Sequence, residues 1–351
     1  MSCYHPLKGF VIGTKPNGKK DIVMSSANVD HIEVYNGKKF HVVSKKLQTP
    51  HPSQTKVFTE SIQIPCGQCI GCRLDYSKNW ATRMMLELET TPNQTACFIT
   101  LTYDDDNVPM SEYLEHSIGS GELKKSLTLR KRDFQLFMKR LRKHYSDCRI
   151  RFYAAGEYGG QTFRPHYHAI IYGLDFSDDR EFWKLSGEGF PYWRSPTLEK
   201  IWPFGYSSIC DVTWNTCAYV ARYVTKKATG QNKDFYEEFN IEPEFALMSR
   251  KPGIGREYYD QHKDEIYAKG ELFFQGLKGG LKMRPPRYFD NLYDVDYPDE
   301  MAAIRKHRVD VAEIAQANKL AKTSLHLDEL LEVEENSQLD RLKLLKRGDC
   351  K

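Results

Sequence analysis

Apolar residues recur along the chain at spacings typical of alternating strands and helices. Short runs that are rich in β-branched and aromatic residues, or are bounded by turn residues, predict strands at 10–12, 31–35, 39–43, 96–103, 150–157, 166–172 and 206–213. Apolar side chains at helical spacing predict helices over 73–91, from Thr128 onward and over 216–227. The stretch from 299 to about 347 is nearly free of Gly and Pro and predicts a helical tail.

This order of elements predicts an α+β protein made of three segments. A β-rich N-terminal segment is expected at 1–72, a central domain at 73–298 and the helical tail at 299–351. Within the central domain, a linker region up to about 200 is rich in Gly, Pro and Trp, and the polar stretch 228–298 has little periodicity.

Length and composition exclude several broad classes of protein. The 351 residues are 40% hydrophobic and 28% charged, which is enough for a sizeable core. At about 150 residues per domain, about two domains are expected. The sequence contains no apolar run of the roughly 18 residues that a bilayer span needs, and its start does not resemble a signal peptide. A membrane, secreted or disordered protein is therefore not expected.

Charge is concentrated in one part of the chain. The total of 51 basic and 47 acidic residues leaves a net charge of only +4. Between Lys124 and Arg151, however, eleven basic residues face two acids, so this segment carries +9. A helix here can lie along DNA phosphates, although a solvated basic face is the ordinary alternative. The candidate DNA-binding residues are Arg130, Lys131, Lys139, Arg140, Arg142 and Lys143.

Nine cysteines, an odd number, indicate a reducing compartment rather than a disulfide framework. Cys66, Cys69 and Cys72 follow one another at CxxC spacing, with glycines that permit tight loops around a metal ion. A structural zinc site prefers four ligands, and the fourth is expected from Cys3 or His5. An iron–sulfur cluster is less favoured, and reduced cysteines in a glycine-rich turn are the alternative without metal.

His166 and His168 lie in one predicted strand, where residues i and i+2 point to the same face. Glu157 ends the preceding predicted strand, and the short segment between them contains Gly159-Gly160. A hairpin would bring the carboxylate to the two imidazoles, and such a set leaves positions free on a catalytic divalent ion. The alternative is two ordinary core or surface histidines and a solvated glutamate.

Tyr219 and Tyr223 are four residues apart in a predicted helix and therefore share one face. A phenol attacks only an electrophile that is already polarised, and Lys226 and Arg222 can assist by lowering the phenol pKa or neutralising phosphate charge. Core packing is the alternative for such a pair. Aromatic residues further upstream can stack unpaired bases, although tryptophans mostly pack; they are Trp183, Tyr192, Trp193, Trp202 and Tyr206.

Together these motifs resemble the HUH endonucleases, and within them the rolling-circle replication initiators of microviruses, the gokushovirus-like single-stranded DNA bacteriophages. The resemblance covers roughly 60–290. It rests on ordered segments, namely FITLTY at 98–103, GEYG at 156–159, RPHYHA at 164–169 and YVARYVTKK at 219–227. Arg222 departs from the lysine that often stands between the two tyrosines, but it keeps the charge.

The resemblance implies an antiparallel central sheet of about five strands with flanking helices and with the histidine strand in the middle. It implies that Mg²⁺ or Mn²⁺ binds Glu157, His166 and His168, and that Tyr219, Tyr223 and Lys226 form the catalytic set. The activity is then endonuclease and ligase action on single-stranded viral origin DNA through a 5′-phosphotyrosine, in the bacterial host cytoplasm. A host helicase and polymerase are expected partners.

Three other functions are compatible with parts of this pattern. A transposase or relaxase of the same superfamily would share the chemistry. A non-catalytic zinc-containing DNA-binding protein would use the histidines only structurally. A 2-His-1-carboxylate iron oxygenase would need the Glu157 group but not the tyrosine pair.

Overall fold

A computed structural model of the chain describes residues 3–15, 20–43, 54–115, 122–160, 162–187, 189–226, 233–276 and 279–344. The chain divides into two compact units. One contains Met1–Asp75 and Lys306–Lys346, and the other contains Tyr76–Arg305. The N-terminal segment and most of the helical tail thus belong to the same unit, whereas the predicted boundaries at 72 and 298 stay predictions.

The α+β prediction is confirmed by the elements of the described residues. The strands are β1 (Leu7–Thr14), β2 (Lys20–Ser25), β3 (His31–Tyr35), β4 (Lys38–Val42), β5 (Lys56–Phe58), β6 (Ser61–Ile64), β7 (Ala96–Tyr103), β8 (Met110–Glu115), β9 (Glu122–Leu127), β10 (Arg151–Tyr158), β11 (Pro165–Tyr172), β12 (Glu181–Leu185), β13 (Pro191–Arg194), β14 (Gly205–Cys210), β15 (Phe245–Met248), β16 (Leu272–Gly276) and β17 (Gly279–Met283). The helices are α1 (Ile70–Thr90), α2 (Lys131–His144), α3 (Pro196–Ile201), α4 (Trp214–Lys226), α5 (Lys233–Glu238), α6 (Arg256–Lys269), α7 (Arg287–Asp296), α8 (Pro298–Leu320) and α9 (Leu327–Leu344).

The first unit is built on two small antiparallel sheets, with the strand orders β2-β1-β6 and β4-β3-β5. Phe10, Val23, Val29 and Ile32 form its buried apolar cluster. None of the described helices in either unit is long and apolar enough to cross a membrane.

An antiparallel seven-stranded sheet forms the centre of the second unit, in the order β12-β13-β14-β7-β11-β10-β15. The strand that carries the two histidines, β11, lies in the interior of the sheet, as expected. The expected number of about five strands is exceeded because β12 and β13 extend the sheet from the predicted linker region. The edge strand β15 comes from the stretch that shows little periodicity.

Alternation along each strand divides the core between the two faces of this sheet. Ile99, Leu101 and Tyr167 point to one face, where they pack against α2 and α3. Phe98 and Ile170 point to the other face, where they pack against α1 and α4. The histidines of β11 alternate with Tyr167, so they lie on the face that α1 and α4 cover.

A buried ion pair between Glu87 and Arg151 accounts for the PGIG segment at 252–255. Arg151 donates to the carbonyl oxygens of Pro252 and Gly253 at 3.0 and 3.2 Å, and the amide of Gly255 donates to Glu87 at 2.6 Å. Gly255 has a φ of 78°, which favours glycine, and directly precedes α6. The segment therefore supplies backbone partners to both charges of the pair.

Candidate active site

The antiparallel register of β10 and β11 sets Glu157 directly opposite His166. Residues opposite each other in such a pair point to the same face, and His168 joins them two residues along β11. Nε2 of His166 lies 2.7 Å from Oε1 of Glu157, and Nε2 of His168 lies 2.9 Å from the same oxygen. The three side chains predicted from the sequence as metal ligands therefore meet at one point.

The other ring nitrogen of each histidine is held by a neighbouring oxygen. Nδ1 of His166 lies 3.0 Å from the carbonyl oxygen of Arg164, and Nδ1 of His168 lies 3.0 Å from Oγ1 of Thr100 on β7. Such contacts fix the ring orientation and direct Nε2 toward a metal. Thr100 was not predicted as a site residue, although alternation within β7 places it on the histidine face.

Burial and hydrogen bonding act in opposite directions on Glu157, which is 2% exposed. Burial raises the pKa of this carboxyl, but hydrogen bonds from His166 and His168 outweigh it and lower the pKa to about 2. The carboxylate is therefore ionised at neutral pH. An anionic oxygen beside two imidazoles is a donor set that divalent metal ions accept.

The surroundings of His166 fit a metal ion for a further reason. Both of its ring nitrogens face oxygen atoms that only accept hydrogen bonds, namely the carbonyl of Arg164 and the carboxylate of Glu157. A neutral imidazole carries one N–H and satisfies only one of these acceptors. A divalent cation between Nε2 and the carboxylate satisfies the arrangement without a charged imidazole.

Tyr219 lies next to this group. Its ring meets the ring of His168 edge to face, with centroids 5.1 Å apart, and Phe98 contacts both rings. The guanidinium of Arg222 lies 5.9 Å from the centre of the Tyr219 ring. The phenol is therefore half-buried between the candidate metal ligands and a positive charge.

Helix α4 is positioned by its start and by its buried face. The amide of Thr216 donates to Oγ1 of Thr213 and the amide of Thr213 donates to Oγ1 of Thr216, a reciprocal cap on the first turn. Cys217, Val220 and Ala221 are buried against the sheet. The side chains of Tyr223 and Lys226 lie outside the described part of the structure, so their catalytic roles stay predictions.

Arg164, which precedes the histidines, links β11 to the end of β7. Its Nε and Nη2 donate to the carbonyl oxygen of Tyr103 at 3.0 and 2.8 Å, and its Nη1 contacts Asp105 at 2.8 Å. Sequence analysis did not assign it a role, although its place in the RPHYHA segment marks it. Arg164 thus braces the strand ends that carry His166.

The predicted DNA-binding helix α2 lies across the sheet from the candidate metal ligands. It packs through Phe134, Phe137 and Leu141 against the face that carries Tyr167. The side chains of Arg130, Lys131, Lys139 and Lys143 are exposed. A DNA strand bound at Glu157 reaches them only by passing around the sheet, and their contact with DNA stays a prediction.

Two arginines of α2 contact the protein itself. Arg140 donates from Nε to the carbonyl oxygen of Ile201 at 2.9 Å, and burial lowers its pKa. Arg142 donates from Nη2 to the carbonyl of Ile150 at 3.3 Å and lies over the ring of Phe152. Both guanidinium groups therefore have structural contacts, whatever their role toward DNA.

The cysteine motif forms a second candidate metal group, in the first unit. The sulfur atoms of Cys3, Cys66, Cys69 and Cys72 all lie within 4.8 Å of one another. Of the two residues considered for the fourth position, Cys3 joins the group, 3.9 Å from the sulfur of Cys69. His5 is exposed and pairs with Glu335 at 2.6 Å.

Backbone amides point at these sulfur atoms. Amide nitrogens of Cys66, Cys69 and Cys72 lie 3.2–3.5 Å from the sulfurs of Cys3, Cys66 and Cys69. Burial raises the pKa of the Cys69 thiol, but hydrogen bonds from the amides of Cys72 and Tyr4 and from neighbouring thiols lower it to about 7. The loop is thus arranged to stabilise thiolate sulfur, which is the form that binds metal.

Comparison with known proteins identifies the family. A family profile for the replication-associated protein ORF2 matches residues 96–228, the range that contains Glu157, both histidines and Tyr219. The replication-associated protein ORF2 of Spiroplasma virus 4 is 30% identical over 276 residues, which cover 77% of this chain and 81% of that protein. The chain therefore belongs to this family of phage replication-associated proteins.

Other phage proteins show the same similarity. The replication-associated protein VP4 of Bdellovibrio phage phiMH2K is 27% identical over 311 residues, covering 86% of this chain and 79% of that protein. The replication-associated protein ORF4 of Chlamydia phage 1 is 26% identical over 284 residues, covering 76% and 63%. No solved structure matches the chain significantly.

Proposed function

We propose that the protein is a metal-dependent tyrosine endonuclease and DNA strand transferase that nicks and rejoins single-stranded phage origin DNA to initiate and terminate rolling-circle replication. The observation that carries this proposal is the contact between the ring of Tyr219 and the ring of His168, beside Glu157 and His166. A phenol next to a two-histidine, one-carboxylate group suits a transesterification at phosphorus.

The candidate ligands suit Mg²⁺ or Mn²⁺ at Oε1 of Glu157 and the Nε2 atoms of His166 and His168. When bound there, the ion supplies charge that stabilises the phosphoryl oxygens during substitution. The carbonyl of Arg164 and the hydroxyl of Thr100 keep the imidazoles oriented. The sheet and α4 shield the group from one side, which strengthens electrostatic interactions at the site.

Tyr219 is the proposed nucleophile. Its phenolate oxygen forms a bond to the phosphorus while the bond from phosphorus to the 3′-oxygen breaks. The phenol proton is released, the 3′-oxygen leaves and is protonated, and the 5′-phosphate stays on the tyrosine. Arg222 lies near enough to favour the phenolate by its positive charge.

Tyr223 follows one helical turn later and is proposed as the second nucleophile, with Lys226 neutralising phosphate charge. Two tyrosines allow a second cut while the first covalent bond persists, and reversal of either step rejoins the strand. The expected setting is the bacterial host cytoplasm, with single-stranded origin DNA as substrate and a host helicase and polymerase as partners.

We further infer that the cysteine group holds a structural zinc ion. Tetrahedral zinc with bonds of about 2.3 Å to sulfur requires sulfur–sulfur distances of about 3.8 Å. The pairs Cys66–Cys72 and Cys3–Cys69 lie 4.0 and 3.9 Å apart. Four thiolates close the coordination sphere, so this site is proposed to stabilise the first unit rather than to catalyse.

The nuclease proposal is tested on a denaturing gel. Purified protein is mixed with Mn²⁺ and labelled single-stranded oligonucleotides tiled over the replicon that encodes it. A covalent band is expected for wild type, absent with chelator and absent in a Tyr219→Phe, Tyr223→Phe double variant. Tyr76→Phe, at an exposed tyrosine of α1, is the matched control and should keep the band.

Each alternative predicts a different outcome. Tight binding without any covalent band would favour a non-catalytic DNA-binding protein. Cleavage at the two ends of one mobile element, rather than at one origin, would favour a transposase.

A further inference from the structure

Strand pairing extends the row of Glu157 and His166 across two more strands of the sheet. His166 on β11 is paired with Thr102 on β7, and Thr102 is paired with Tyr206 on β14. Paired residues point to the same face, so Tyr206 shares the face of the candidate metal ligands. Adjacent strands lie about 4.8 Å apart, which separates the backbones of His166 and Tyr206 by about 10 Å.

Gly205 is the residue that permits this register. Its φ is 147°, and a Cβ atom there would lie 2.3 Å from the amide nitrogen of Asp104 and 2.5 Å from the carbonyl oxygen of Thr102. Only glycine allows β14 to approach the end of β7 so closely. The next residue, Tyr206, is thereby placed beside Thr102.

Exposure distinguishes Tyr206 from the other aromatic residues of this region. Its side chain is 63% exposed, whereas Trp202 is fully buried and donates from its indole to the carbonyl oxygen of Thr102. Trp193 packs against the core on the opposite face. A large aromatic ring standing in solvent beside two histidines and a carboxylate is not explained by packing of its own unit.

Positive charge continues along the same face beyond β14. Arg194 on β13 lies 4.1 Å from the ring centre of Trp183, and Lys184 on β12 lies 4.3 Å from it. Trp193 pairs with Ile209 on the other face, so its neighbour Arg194 points to the face of Tyr206. Cations interleaved with exposed rings are the arrangement that binds single-stranded nucleic acid, through phosphates and bases respectively.

We propose that Tyr206 stacks on a base of the single-stranded DNA substrate and holds the strand in register over the metal ligands. This inference rests on the proposed nuclease function. Stacked nucleotides rise about 3.4 Å each, so the stacked base lies within about three nucleotides of the scissile phosphate. Tyr206 is thus a positioning residue, and its ring rather than its hydroxyl is required.

The test compares Tyr206→Ala, Tyr206→Phe and a matched control, Phe182→Ala. Phe182 is 62% exposed but pairs with Trp193 and therefore lies on the opposite face. Affinity is measured in chelator for the oligonucleotide that wild type nicks, so binding is separated from chemistry. The same oligonucleotide is then prepared with a single abasic site at each position near the nick.

For wild type, one abasic position within about three nucleotides of the nick is expected to weaken binding about tenfold. Tyr206→Ala should weaken binding of the intact oligonucleotide by about the same factor and should be insensitive to that abasic site. Tyr206→Phe and Phe182→Ala should behave as wild type. Unchanged melting temperatures establish that all three variants are folded.

Three results would overturn the proposal. Wild-type affinity in Tyr206→Ala would do so, as would an abasic penalty that persists fully in that variant. Loss of the covalent adduct in Tyr206→Phe would make Tyr206 a nucleophile instead. If wild type nicks no oligonucleotide, the nuclease proposal fails by itself, and equal affinity of Tyr206→Ala and Tyr206→Phe for an oligothymidylate then overturns the stacking proposal separately.

Discussion

The rings of Tyr219 and His168 meet edge to face with their centroids 5.1 Å apart. This contact joins the helix α4 to the strand β11, two elements that are separated by about fifty residues along the chain. Phe98 packs on both rings and fixes their relative position. The proposed nucleophile and the proposed metal ligands are therefore held by one aromatic cluster, so that neither is placed by a mobile loop.

Replacement of His168 by alanine is expected to abolish the covalent adduct and leave DNA affinity within about twofold of wild type. The expectation follows because His168 is 1% exposed and has little surface for DNA, whereas a metal site with one ligand removed loses catalysis. Adduct yield and fluorescence anisotropy measure the two properties. Equal loss of binding would instead assign the histidines a purely structural role.

Thr100 is expected to act through His168. Thr100→Val removes the oxygen 3.0 Å from Nδ1, and such outer contacts typically change metal affinity by about 10- to 100-fold. The Mn²⁺ concentration that gives half-maximal cleavage should rise accordingly, with the maximal rate recovered at saturation. Thr100→Ser, which keeps the oxygen, should remain close to wild type. A loss of rate that saturating Mn²⁺ does not restore would contradict this role.

The ionised state of Glu157 predicts a pH-dependent contribution to stability in the metal-free protein. Hydrogen bonds from the histidines lower its pKa from 4.5 to about 2 despite burial. A lowered pKa stabilises the fold above the unfolded-state value, and this contribution disappears as pH falls from about 4.5 toward 2. The stability gap between wild type and Glu157→Gln, from urea unfolding in chelator, should therefore shrink over that range. A gap that is constant with pH would refute the prediction.

The cysteine group predicts about one zinc ion per chain in freshly purified, reduced protein. Cys69→Ser should lower the zinc content and the melting temperature, because a structural zinc site contributes directly to folding. Cys148→Ser is the control, since Cys148 is exposed and lies outside the group. Metal analysis that finds no zinc in wild type, or iron in its place, would reject the zinc assignment.

The buried pair of Glu87 and Arg151 predicts a large loss of stability on Glu87→Gln. Removing one partner leaves a buried charge uncompensated, which costs about 3–5 kcal/mol. The ion pair of Arg149 and Glu257 is largely exposed, so Glu257→Gln should cost at most about 1 kcal/mol. Urea unfolding of the two variants measures the difference. Similar losses in both would show that Pro252 and Gly253 satisfy Arg151 without the carboxylate.

Much of the candidate site follows from local patterns in the sequence. The spacing of His166 and His168 places both imidazoles on one face of a strand, and the short connection to Glu157 predicts a hairpin. The structure has this hairpin, with Glu157 opposite His166. The predicted strand at 96–103 coincides with β7. These features depend on residues close together in sequence, where period and turn composition are sufficient.

Other features depend on which elements pack together. The charge of α2 is evident in the sequence, but its position across the sheet from Glu157 follows from the packing of Phe134 and Phe137 on the Tyr167 face. Likewise, the choice between Cys3 and His5 beside Cys69 required the folded N-terminal segment. Local spacing does not contain these distances.

Tyr206 shows the physical reason. Its composition and spacing resemble those of any aromatic residue in a strand, and the sequence alone leaves it among several candidates for stacking. Its place in the row of His166 and Glu157 arises from hydrogen bonding between β14, β7 and β11, which are far apart along the chain. Backbone periodicity selects the face on which a side chain lies, whereas pairing between distant strands selects its neighbours on that face.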